Sequence, residues 1–246
     1  MRETQEQQSM RLHGPDSQPV QDESCVIDQL LSLRGARVLD LGCGAAEKTR
    51  QIAEQYEVAE IVAAEVDRIQ HQKNLQIDDL PNVRFESFGA QAIAAMEASF
   101  DVVVMFKSLH HVPVADMDVA LKEIHRVLKP GGLAYISEPV FAGDFNEIIR
   151  LFHDESLVRE AAFAALQSAV AEGRLELVAE YFFMNELKLD SFAQFEAGVL
   201  NATHTEHNVA PELLAEVQAK FESHASAAGY AFHIPNRVDL LRKAEP

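Results

Sequence analysis

The chain has 246 residues, 48% of them apolar and 24% charged, enough for one large domain or one domain with an elaborated second half. Its 21 basic and 39 acidic side chains leave a net charge of −18. That balance argues against nucleic acid or an anionic membrane as a partner, because polyanions are held by counterion release at a basic face. The longest basic cluster is only Arg237, Arg242 and Lys243. Cys25 and Cys43 are too few for a disulfide framework or a cysteine-based zinc site. No apolar run approaches the roughly 18–20 residues of a membrane span, and residues 1–20 lack the apolar stretch of a secretory signal. A cytoplasmic, reducing location is the expectation.

Residues 1–21, rich in Gln and charge with Pro15 and Pro19, are expected to form a flexible arm. From Asp22 a helix is predicted, with Val26, Ile27, Leu30 and Leu31 on one face and Gly35 as its stop. Short apolar runs then alternate with amphipathic stretches. The runs are Arg37–Leu41, Ile61–Glu65, Val83–Glu86, Phe100–Phe106 and Leu133–Glu138, and helices are predicted between them near 46–56, 68–76, 90–97 and 117–128. Nearly continuous apolar strands alternating with helices indicate a parallel sheet covered on both faces. Residues 22–140 therefore read as a doubly wound α/β core.

The second half departs from that rhythm. Asp144 and Glu147 read as a helix start signal, an Ala-rich helix is predicted at about 155–172, and a sixth strand near 175–189. A short helix follows from Ser191, and Pro211 opens another that is predicted to stop at Gly229. Eight of the fourteen phenylalanines lie between Phe141 and Phe195. Residues 141–229 are thus expected to be a helical cap over a ligand, and residues 230–246 a final strand, with Pro235 marking a bulge or a sheet edge.

In open α/β sheets ligands sit at the carboxyl ends of the strands, near the switch point. The first such junction here reads Val38-Leu39-Asp40-Leu41-Gly42-Cys43-Gly44-Ala45-Ala46-Glu47. A dinucleotide loop would need a third glycine where Glu47 stands, and a carboxylate at a helix N-terminus repels pyrophosphate. No G-K-[ST] follows, which excludes a P-loop. Glu65 ends the second strand twenty-one residues after Gly44, the spacing of an acid that takes hydrogen bonds from an adenosine ribose. A ligand that is cationic, phosphate-free and ribose-bearing is S-adenosylmethionine.

With these residues in place, the core resembles the class I S-adenosylmethionine-dependent methyltransferases of the small-molecule type, over about residues 36–140. VLDLGCG is similar to the family's first motif and IVAAEVD to its second. SFDVVVMFKSLHHV resembles the fourth-strand motif, and EIHRVLKPGGLAYISEP the helix, turn and strand that follow. The resemblance implies a Rossmann-like, seven-stranded, mostly parallel sheet with helices on both faces and an inserted helical cap. It implies that Asp40 anchors the amino end of the cofactor's methionine, with Gly42, Cys43 and Gly44 packed against the cofactor. Glu65 would hold the ribose and Val66 lie against adenine. Gly89 and Ala90 stand where the family usually has an acid for the adenine amino group, so Gln91 or a backbone group would have to substitute. Phe106 and Lys107 would line the methionine side.

Methyl transfer is an in-line displacement, so much of the catalysis can come from positioning. A base is needed only when the acceptor must lose a proton. His110 and His111, at the lip after the fourth strand, are candidates for that base, against the plain alternative of hydrogen-bonded loop histidines. Glu138, ending the fifth strand on the same lip, is the third candidate. His204 and His207, with Glu206 or His233, lack the regular spacing of a metal site, and no metal is expected. Two cysteines argue against a thiolate-based arsenic-methylating site. Phe106-Lys107-Ser108-Leu109 lacks the Asn/Asp-Pro-Pro-aromatic run of nucleobase amino-methylases, in keeping with the acidic charge. The expected function is transfer of a methyl group to a small-molecule acceptor. The alternatives are a cofactor-binding module of the same fold without transfer activity, and a protein or tRNA methyltransferase.

Overall fold

The computed structural model describes residues 10–200, 209–226 and 229–244. Seven strands form one sheet in the order β3-β2-β1-β4-β5-β7-β6. They are β1 (Arg37–Leu41), β2 (Glu60–Ala64), β3 (Val83–Glu86), β4 (Phe100–Phe106), β5 (Leu128–Pro139), β6 (Glu176–Leu189) and β7 (Tyr230–Arg242). β1 to β5 pair in parallel, and β7 runs antiparallel between β5 and β6. The strand order reverses between β1 and β4, which puts the switch point at the glycine loop. The fold is the expected mostly parallel, Rossmann-like sheet.

Period-2 alternation along the strands feeds two cores. Leu39, Leu41, Val103, Met105 and Ile136 face one side with α4 (Met117–Val127) and α6 (Ser156–Ala171). Val38, Ile61, Val102, Val104 and Tyr135 face the other, under α1 (Glu23–Leu30) and α2 (Glu47–Gln55). α3 (Arg68–Asn74) opens with Asp67 accepting from the Ile69 N–H, a regular N-cap. A third cluster joins Ile148, Phe195, Leu200, Val217, Phe221 and Phe232. It draws on α5 (Asp144–Ile149), α7 (Phe192–Phe195) with the π-turn Glu196–Leu200, α8 (Pro211–Glu222) and the far ends of β6 and β7. The elaboration is therefore narrower than residues 141–229, because α6 shares the core of α4 instead of the phenylalanine cluster.

Several local expectations need correction. Residues 90–97 form turns, not a helix: the Arg126 guanidinium takes the carbonyls of Ile93 and Ala95, and Glu123 takes the Ile93 N–H. Their backbone groups are thus satisfied by tertiary partners, without an i→i−4 ladder. Residues 10–21 are not a free arm. Met10 is buried in the first core, Arg11 pairs with Glu180 and lies over the Phe182 ring, and Val20 bridges Met184 at the sheet edge. α1 ends at Leu30, short of Gly35. α5 begins at Asp144 itself with Gly143 before it, so Asp144 is not the capping residue. α8 stops at Glu222 and Gly229 instead turns back toward Ser226. Pro235 sits on β7 where only β6 pairs with it, one residue beyond the β5 ladder, while the register shift falls in β6 between Leu177 and Ala179. The His204–His207 stretch lies outside the described residues.

Candidate active site

The turn after β1 is built by close approach. Gly42 has φ +74°, and a Cβ there would lie 2.7 Å from Cβ of Ser108. Gly44 has φ +53° but nothing near it. Both are left-handed conformations that favour glycine. The N–H groups of Gly42 and Cys43 share the Ala64 carbonyl, at 2.9 and 3.0 Å, which ties the loop to β2. We expect Gly42→Ala to destabilise the protein by about 1–3 kcal/mol through strain plus collision. Gly44→Ala, with strain alone, should stay near about 1 kcal/mol. Urea unfolding of the two variants checks this, and equal losses would contradict it.

Glu65 organises the same loop. One oxygen accepts from the Gly44 N–H and the other from the Asp67 N–H, each at 2.8 Å. The carboxylate, 8% exposed, is thereby fixed with lone pairs still available to ribose hydroxyls. Val66 beside it is 62% exposed on the lip. Asn74 donates to the Gly44 carbonyl at 2.8 Å and lies 3.6 Å from the Cys43 sulfur. Burial and the carboxylates of Asp40 and Glu65 push the Cys43 thiol up, so this cysteine is a packing residue without nucleophilic character.

Asp40 lies beneath, 1% exposed, accepting from the Thr49 hydroxyl at 2.7 Å. Burial raises its carboxyl to about 7, the Thr49 bond lowering it and the Glu65 charge raising it further. The folded carboxyl therefore keeps a proton that an unfolded one releases near 3.8. Between those limits the folded state binds more protons, and Asp40 destabilises the fold increasingly as pH rises through the window. A cationic ligand group beside Asp40 relieves that burden by favouring the ionised form. Affinity for such a ligand should fall as pH drops below about 7 and lose this dependence in Asp40→Asn, measured by calorimetry across about pH 5.5–8.

Beyond β3, the Gln91 side chain folds over Gly89, where a Cβ would collide with it, and Ala90 is buried. Phe106 packs on Tyr135 at 5.6 Å. Lys107 follows with φ 54°, its N–H held by the Ser137 carbonyl at 2.7 Å. A lysine in that conformation is strained backbone at the strand end. Although the residue reaches the surface, surrounding protein strips water from its ammonium and holds it below the ordinary lysine range.

His110 and Glu138 come together, and His111 lies beside them. Both are buried, and Glu138 receives the Leu109 N–H at 2.9 Å on one oxygen and bonds His110 Nδ1 with the other. With both oxygens engaged, Glu138 positions His110. The His111 ring stacks 4.1 Å from that of His110 and is exposed. The structure adds residues that sequence reading missed. Glu155, 9% exposed, lies 3.7 Å from His110 Nε2 and 3.1 Å from His153 Nε2 through the same oxygen, and its other oxygen pairs with Arg159 at 2.6 Å. His110, His111, His153, Glu155 and Arg159 line one wall of a cleft of about 270 Å³; Lys107 and Asn146 reach it too, and the rest is mostly apolar, from Val140, Phe145, Ile149, Phe152, Val199 and Ile234. The signal available in sequence was His153-Asp-Glu155 directly before the Ala-rich helix.

Comparison with known proteins finds similarity over the part of the chain that carries the glycine loop. Residues 38–132 match a family described as "Methyltransferase domain". A ubiquinone biosynthesis O-methyltransferase of Pseudomonas entomophila is 33% identical over 113 residues, covering 45% of this chain and 47% of the relative. A 27-O-demethylrifamycin SV methyltransferase of Amycolatopsis mediterranei is 37% identical over 109 residues, covering 42% and 39%. An uncharacterized protein of Rickettsia prowazekii is 26% identical over 197 residues, 78% of this chain and 35% of that one. The chain thus spans between a third and a half of the length of these relatives. Among solved structures, the YcgJ protein of Bacillus subtilis shares the fold with a TM-score of 0.63 at 18% identity, covering 91% of this chain and 98% of that one. The [4+2]-cyclase SpnF shares it with a TM-score of 0.59 at 19% identity, covering 91% and 80%. The match to a methyltransferase domain thus covers residues 38–132, the segment that carries the glycine loop, Glu65 and the lip after β4.

Proposed function

We propose that the chain transfers the methyl group of S-adenosylmethionine to a hydroxyl of a small, largely apolar acceptor held in the cleft. The observation that carries this reading is a cleft of about 270 Å³, mostly apolar, with His110 and His111 on its wall; Lys107, which also lines it, adjoins Ser108, whose Cβ faces Gly42 of the glycine loop. That volume suits a small molecule better than a protein or RNA segment, and one of the relatives named above is a ubiquinone biosynthesis O-methyltransferase. Asp40, Gly42, Gly44 and Glu65 would hold the cofactor, with Val66 and Gln91 at adenine and Phe106 and Lys107 on the methionine side. When bound, the cofactor supplies an activated methyl on a sulfonium. The chain holds the acceptor oxygen in line with it. As the oxygen–carbon bond forms and the carbon–sulfur bond breaks, the hydroxyl proton passes to the imidazole pair, His110 being fixed by Glu138.

The same fold occurs in a protein named as a cyclase, so the fold alone does not define the reaction. Incubation with methyl-labelled cofactor and a panel of apolar phenols and alcohols tests the reading. Label should move to acceptor, with the demethylated cofactor formed in equal amount. Cofactor binding without any transfer across the panel would favour the non-transferring module.

A further inference from the structure

We propose that His110, His111 and Glu155 form a binding site for a divalent transition-metal ion on the cleft wall. Their ligand atoms all lie within 4.8 Å of one another, so small movements bring two nitrogens and an oxygen to the roughly 2.0–2.2 Å bonds such ions make. Glu138 holds His110 through Nδ1, which turns that ring's Nε2 toward a Glu155 oxygen at 3.7 Å. The carboxylate–histidine pair behind the cluster is also the arrangement that orients metal-ligating imidazoles. Arg159 engages the other Glu155 oxygen, and an ion on the first would displace its hydrogen bond with His153.

The donor set selects the ion. Two imidazoles and one carboxylate suit Zn²⁺, Mn²⁺ or Fe²⁺, whereas Mg²⁺ and Ca²⁺ prefer oxygen alone. Three protein ligands leave coordination positions open toward the cleft. The consequence for catalysis rests on the reading above. A bound ion occupies the imidazole lone pairs that this reading uses for the hydroxyl proton, so Zn²⁺ should slow methyl transfer. Ion binding itself is independent of methyl transfer and is measured without cofactor or acceptor.

The test is calorimetric titration of Zn²⁺ into chelator-treated, tag-free protein, with Mg²⁺ as the contrasting ion. One Zn²⁺ per chain is expected, with at least tenfold weaker binding in Glu155→Gln and His111→Ala. Glu138→Gln, which spares all three ligands, should weaken it about 10–100-fold. The double variant His204→Ala/His207→Ala should bind as wild type. X-ray absorption on zinc-loaded wild type should show two imidazoles with oxygen, independent of how any variant folds. Wild type binding no more Zn²⁺ than Glu155→Gln, loss of binding in the His204/His207 variant, or sulfur at the zinc would overturn the proposal.

Discussion

Glu65→Ala is expected to weaken S-adenosylmethionine binding by about 150-fold. Two charge-assisted hydrogen bonds to the ribose, each worth about 1.5–3 kcal/mol, disappear together. A conservative total of about 3 kcal/mol gives that ratio. The loop suffers as well, because the Gly44 and Asp67 N–H groups lose the carboxylate that holds them at 2.8 Å. Glu65→Gln separates the two effects, since its single carbonyl oxygen keeps shape and one acceptor but removes the charge. It should fall between wild type and Glu65→Ala in calorimetry. An affinity for Glu65→Ala within threefold of wild type would remove Glu65 from the ribose site.

The second large effect concerns the reaction and leaves cofactor binding alone. His111→Ala should lower turnover by about 10²–10⁴-fold, the usual contribution of a positioned group that handles the proton. The ring is exposed on the cleft, so its removal leaves no hole in the core and the protein should fold normally. Cofactor affinity should stay within about twofold, because the glycine loop and Glu65 are untouched. Glu138→Gln should reduce turnover less, since it acts through His110, and raising the acceptor concentration should not restore it. A His111→Ala variant with full turnover would leave catalysis to positioning alone.

Much of this site was legible in the chain because its parts are local. β1, β3 and β4 run over the expected residues: β1 and β4 are buried and nearly continuously apolar, while β3 at the sheet edge alternates Val83 and Phe85 with Arg84 and Glu86. The acid at Glu65 and the glycines at 42 and 44 announce themselves by spacing from those strands. What was not legible is tertiary. Residues 90–97 carry a helix-like pattern, yet Arg126 and Glu123, some thirty positions away, take their backbone groups. Residues 10–21 look like a flexible arm by composition, but Met10 and Val20 find partners in the first core and at Met184. Glu155 escaped notice for the same reason: only the packing of α6 against the lip after β4 brings its oxygen to 3.7 Å from His110. Composition groups the eight phenylalanines from Phe141 to Phe195 without saying whether they form a cap or pack inserted helices, whereas Phe163 lies in the core with α6 and Phe195 in the separate cluster.

The most direct measurement is a crystal structure with S-adenosylhomocysteine bound. The account predicts ribose hydroxyls on Glu65, the adenine between Val66 and Gln91, and the amino group toward Asp40. It further predicts that the sulfur opens onto the cleft lined by Lys107, His110, His111 and Phe152. A ligand seated away from the glycine loop, or a sulfur walled off from that cleft, would contradict it.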